Sequence, residues 1–263
     1  MKASLNQVWS MINSQQVSVH SPMFERAKFP ANTVAVNQFL ITIATFDLID
    51  TESWLDGFVF YLPEGDPYSL GFDQCGYGST VLIQNISIIV WTWVVTTLVF
   101  FAYFPILLIS RYCGKLTNVK NKLAAFLFWN GLLRSFMEFF FDMFIAAMLN
   151  IKTATWLTPF WAEKFSNLFS LGFVGITLIL LPTLTVICYI NVYNYGDKYF
   201  TEAVGALLEG TNLRRKRHIL IWPAAFFLRR ITFAFTSIYL GWFLWAQFAI
   251  QFAFSILMIL FLS

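Results

Sequence analysis

The sequence predicts an all-α fold: a polytopic membrane bundle of about five transmembrane helices, preceded by a short interfacial helix. Three observations predict it. Hydrophobic residues make up 58% of the 263 positions and charged residues 12%, against roughly 25% charged in a soluble domain. Five stretches reach the length of about 20 mostly apolar residues that crosses a bilayer. Basic loops alternate with loops poor in Lys and Arg, the pattern that orients spans in a membrane.

The elements follow in order. Residues 1–32 read as a polar N-terminal segment. Residues 33–79 form an acidic segment with seven carboxylates, Asp47, Asp50, Glu52, Asp56, Glu64, Asp66 and Asp73, and no Lys or Arg. Within it, Val34–Ile49 is too short and too polar for a span, carrying Asn37, Gln38 and Asp47, and reads as the interfacial helix. The spans are residues 80–110, 123–151, 165–193, 219–240 and 241–262. Helices are required because lipid offers the backbone no partners. Pro182 predicts a kink in the third span, while the Trp222-Pro223 pair predicts the entry of the fourth, since the first helical turn has no use for the missing N–H.

The loop 111–122 holds Arg111, Lys115, Lys120 and Lys122, and the loop 194–218 holds Lys198 and the run Arg214, Arg215, Lys216, Arg217. Both are expected on the cytoplasmic side, with residues 33–79 outside or lumenal. Trp54, Phe58, Phe60, Tyr61, Trp156 and Trp161 fit an outer aromatic belt. The start of the chain has no apolar core of signal-peptide length, and the end, LMILFLS, stops inside an apolar run. Both suggest a piece of a longer protein, or a truncated gene product.

Charge inside the spans is the sharpest functional signal, because an ionisable group at membrane depth faces protein or a water-filled cavity. Arg134, Glu138 and Asp142 recur every four residues and share one helical stripe. Arg229 and Arg230 sit in the fourth span, which runs in the same direction as the second. The stripe is expected to meet one of these arginines across a helix interface. The network is either a structural ion-pair cluster or part of a cation or proton pathway. A voltage sensor would repeat its arginines every third position, and these do not.

Weaker signals surround it. Arg214, Arg215, Lys216 and Arg217 suit anionic lipid headgroups, or serve only to orient the chain. Asn85, within the sequon Asn85-Ile86-Ser87, lies too deep to be glycosylated and reads as a cap or an interhelical hydrogen bonder. Gln247 and Gln251 share a face of the last span and suit a polar conduit or an interhelical bond. The acidic segment lacks EF-hand spacing. Cys75, Cys113 and Cys188 read as free thiols, and His20 and His218 offer no ligand cluster. No nucleophile elbow, zinc-protease motif or phosphate loop is present, so no enzymatic activity, metal or cofactor is expected, and no nucleic-acid partner. The expected partners are the bilayer, anionic lipid, and further transmembrane helices or subunits.

Three stretches carry a family resemblance: FDQCGYGSTVLIQNIS at Phe72–Ser87, AVGALLEGTNLRRKRHILIWPAAFFLRRITFAF at Ala203–Phe235, and TFDLIDTESW at Thr45–Trp54. Together they resemble the multi-pass region of large ciliate surface proteins, which is similar to the TRP-like domain of fungi and distantly polycystin-like. The resemblance covers roughly residues 30–263. It implies a channel-like or sensory transmembrane module. The alternative is a structural, non-conducting subunit of a membrane complex.

Overall fold

The computed structural model describes residues 16–24, 27–45, 65–110, 116–128, 130–190 and 222–262. Every regular element among them is helical: a 3-10 turn at Ser21–Met23, then α1 (Ala31–Thr45), α2 (Leu70–Gln74), α3 (Leu82–Asn85), α4 (Ser87–Ser110), α5 (Thr117–Phe128), α6 (Asn130–Thr153), α7 (Trp161–Ile190), α8 (Trp222–Tyr239) and α9 (Leu244–Leu262). The expected first span is divided, with α3 and α4 separated at Ile86. Asn85 closes the turn that leads into α3: its amide donates to the Ser79 carbonyl at 2.7 Å and the Val81 carbonyl at 3.3 Å, and its Oδ1 accepts from the Ser79 N–H at 3.4 Å. The break follows at Ile86, whose φ of −113° and ψ of 20° leave the helical range. The second apolar stretch likewise falls on two helices, α5 and α6. The third span begins earlier than its apolar run, at Trp161. The described part of α8 begins at the expected Trp222-Pro223 entry.

α6 is the centre of the molecule and packs against α5, α7 and α8. From Phe140 to Asn150 only Asp142 is less than fully buried. Two features allow this. Ala146 and Ala147 let neighbours come close, and Phe140, Phe141 and Phe144 fill the wider gaps, with Phe140 edge-on to Phe227 at 4.7 Å. Such a pair contributes about 0.5–1.5 kcal/mol beyond its buried area.

The outward faces of α4 and α7 are apolar, and a few polar side chains sit within the apolar core. On α7, Leu178 and Ile179 are 60% and 70% exposed, while Ser166 and Ser170 are 0%. On α4, apart from Ile89 and Tyr103, the side chains beyond Ser87 are half-buried or exposed, among them Leu98, Phe101 and Leu108. The hydroxyls on these surfaces turn back onto their own helix: Thr92 donates to the Ile88 carbonyl at 2.9 Å, Thr97 to Trp93 at 2.8 Å and Thr183 to Ile179 at 2.7 Å. Such a bond satisfies a hydroxyl without calling on water. Two helices, Ser87–Ser110 and Trp161–Thr183, are long and apolar enough to cross a membrane, and a shorter apolar stretch lies at Leu244–Leu257.

At one end of the bundle Lys152 Nζ donates to the Ile238 carbonyl and the Tyr68 hydroxyl, which ties the C-terminal ends of α6 and α8 together. Exposed Trp156, Trp161, Trp242 and Trp245 gather in the loops and helix starts that follow those ends. Trp54, Phe58, Phe60 and Tyr61 of the expected belt lie outside the described residues.

The largest departure from the sequence reading is at the N-terminus. Residues 16–24, within the segment read as simply polar, thread into the core. Gln16, Val19, His20, Met23 and Phe24 are all buried. Phe24 packs on Phe233 of α8 and Phe248 of α9, with centroids 5.3 and 5.5 Å away. Burial is tolerable because Gln16 Oε1, the Gln16 carbonyl and His20 Nδ1 find partners inside.

Candidate functional site: a polar string through the bundle

The site lies where residues 16–24, the end of α2, α6 and α8 converge. α2 ends in a reversal that places Tyr77. Gly76 takes φ +86°, so its N–H reaches the Asp73 carbonyl at 2.9 Å while the Tyr77 N–H reaches Phe72 at 3.0 Å. This pairing closes a helix C-terminus through a left-handed residue, a conformation cheap only for glycine. The Tyr77 hydroxyl then donates to Asp142 Oδ1 at 3.3 Å. His20 Nε2 lies 3.5 Å from the same oxygen. Its Nδ1 is 2.7 Å from the Gln16 carbonyl oxygen, and the ring stands edge-on to Phe141 at 4.9 Å.

Arg230, 1% exposed, is the largest fully buried side chain. Its guanidinium donates to the Met137 carbonyl at 2.7 Å and to Gln16 Oε1. It also stacks over the Phe226 ring at 4.0 Å and lies 5.7 Å from Phe141. Planar geometry, several donors and weak hydration suit Arg to such a place. Arg230, Gln16, His20, Asp142 and Tyr77 thus form a string of polar groups inside an apolar surround.

The stripe predicted from sequence is distributed differently from the simple picture of three charges against an arginine. Asp142 sits near the middle of α6 and meets Tyr77 and His20. Arg134 and Glu138 lie on α6, with side chains outside the described set. Arg230 does reach across the α6–α8 interface, to a backbone carbonyl one turn before Phe141. Arg229 is half-buried, and its Nε makes no hydrogen bond. Arg214, Arg215, Lys216 and Arg217 lie outside the described residues. Asn85 serves the turn before α4. Gln247 and Gln251 both bond Thr236 across the α8–α9 interface, at its carbonyl (3.1 Å) and its hydroxyl (3.1 Å).

A second polar cluster was missed from sequence. Asn150 Oδ1 accepts from Ser166 at 3.0 Å and Ser170 at 2.9 Å, and its amide donates to Asn167 Oδ1 at 2.9 Å. The signal available was the spacing of Ser166 and Ser170, one turn apart on an otherwise greasy helix. For the burial of Gln16 and His20 no local signal exists, since their partners on α8 and α6, Arg230 and Asp142, lie more than 100 positions away.

The reactivity of the site is muted. Burial, first, and the Asp142 charge, in smaller part, push the Cys75 thiol up to about 12, so it stays protonated and inert. Tyr77 is pushed well above its usual value, by burial and then by Asp142. Among the described residues, no group of three or more His, Cys, Asp or Glu is placed to hold a metal ion.

What the fold and site define is an all-helical protein with helices fit to cross a membrane and polar groups turned inward. No protein-family model, curated protein or solved structure matches the chain.

Proposed function

We propose that the chain is an integral membrane protein, a bundle of about five spans, working as a channel-like or sensory transmembrane module of TRP-like type. The observation that carries this reading is the inversion of polarity. Arg230, Gln16, His20, Asp142 and Tyr77 line up inside, while α4, α7 and α9 present Leu, Ile and Phe outward. A soluble protein rarely exposes so large an apolar surface, and ionisable groups inside a membrane bundle mark ion or proton routes. The three stretches similar to the TRP-like region support the same class. The orientation follows the basic loops, with 111–122 and 194–218 cytoplasmic and residues 33–79 outside.

A structural, non-conducting subunit is the second reading. It is favoured by the way Gln247, Gln251 and Asn150 spend their hydrogen bonds on neighbouring helices. Purified protein in planar bilayers separates the two. Cation currents that fall on substitution of Asp142 to Asn are the expected result. Silence over the full range of voltage and pH would leave the structural role in possession.

A further inference from the structure

We propose that His20 and Asp142 form a proton-binding site, in which a proton taken from solution sits on His20 Nε2 and fastens residues 16–24 to α6. The argument starts at the other ring nitrogen. Nδ1 is 2.7 Å from the Gln16 carbonyl oxygen, which only accepts, so Nδ1 carries a hydrogen. In a neutral ring, Nε2 is then a bare lone pair. This nitrogen is buried, makes no hydrogen bond of normal length, and lies 3.5 Å from a carboxylate oxygen. Lone pair against carboxylate is repulsive. A proton on Nε2 converts the repulsion into a charge-assisted contact. No bond other than N–H forms, and the pair gains the one positive charge that balances Asp142.

The other groups around the pair are few. From the end of α2 come Cys75 and Tyr77, the latter donating to the same oxygen. From α8 comes Arg230, linked through Gln16, with Arg229 beside it. α6 itself adds Arg134 and Glu138 nearer its start, and neither α3 nor α9 contains a titratable side chain. The Tyr77 hydroxyl alone leaves most of the Asp142 charge uncompensated. Because His20 is on the N-terminal segment and Asp142 on the central helix, the proton acts as a clasp between them. The site stands whether or not the protein conducts ions.

The chain has two histidines, so the variant His218→Gln leaves one imidazole to observe. The experiment is nitrogen NMR of this variant, labelled at histidine and held in lipid nanodiscs at about pH 7, where an ordinary imidazole is mostly neutral. Both ring nitrogens should report as proton-bearing. In the added variant Asp142→Asn, the Nε2 proton should be lost at the same pH. A parent spectrum with an unprotonated Nε2 overturns the proposal, and this spectrum decides the case even if the Asp142→Asn chain fails to fold. An Nε2 proton that survives unchanged in a folded Asp142→Asn chain overturns it too.

Discussion

Replacing Arg230 with Met should destabilise the fold. Methionine keeps much of the stem's volume but removes the guanidinium. Two charged donations are lost, to Met137 O and Gln16 Oε1, and hydrogen bonds to charged groups contribute about 1.5–3 kcal/mol each. The Met137 carbonyl keeps its helical partner, so its share falls at the low end. The stacking on Phe226 at 4.0 Å adds about 1–2 kcal/mol in a desolvated setting. Against this stands the relief of not burying a charge, a desolvation cost of several kcal/mol. The net loss is about 2–4 kcal/mol, within the range for breaking a buried polar network. The informative quantity is the coupling. Gln16→Ala alone removes one partner, and in the double variant the shared bond is lost only once. Unfolding in detergent, followed by tryptophan fluorescence, should give a coupling energy of about 1.5–3 kcal/mol between the two sites. Arg230→Lys should retain part of the stability, since one ammonium cannot reproduce the planar fork. Additivity to within about 0.5 kcal/mol would show that the Gln16 contact carries no energy and that residues 16–24 are not fixed by Arg230.

Two further outcomes follow from other contacts. Asn150→Leu should lose about 2–4 kcal/mol by leaving Ser166, Ser170 and Asn167 without their shared partner; thermal unfolding of the purified chain reads the loss. Gly71→Ala places a Cβ 2.3 Å from the Pro22 carbonyl oxygen, so the 3-10 turn must move off α2; with Cys113 and Cys188 replaced by Ser, Cys75 should change from unreactive to readily labelled by maleimide at neutral pH, and no change in labelling rate would refute that coupling.

Much of the helical layout was legible because a long apolar run can satisfy its backbone in lipid in few ways. Five apolar stretches were read, and α3 to α9 fall on them, with two of these helices long and apolar enough to cross a membrane. Hydropathy, however, sums side-chain transfer energies and is blind to what a single polar side chain does to the backbone. That is why α3 and α4 read as one piece, although Asn85 was read as a cap or an interhelical hydrogen bonder. The charged stripe on α6 was legible as a stripe, because periodicity is local. Its partners were not, since nothing at position 142 encodes that position 20 will come to lie beside it. The same holds for residues 16–24. Their composition is ordinary for a polar tail, and their burial depends on acceptors and donors supplied by α6 and α8.

The bond between Gln16 and Arg230 also has a history in time. Its two ends are 214 residues apart. At a synthesis rate of about 5–20 residues per second, the first must wait roughly 10–40 s for the second to leave the ribosome. During that interval Arg230 does not yet exist, and α6 is made without the side chain that will cross its middle. That fastening of the N-terminal segment to α8 therefore forms late although the segment is made early. A nascent chain halted before Arg230 is synthesised should lack it, whatever the state of the helices already laid down.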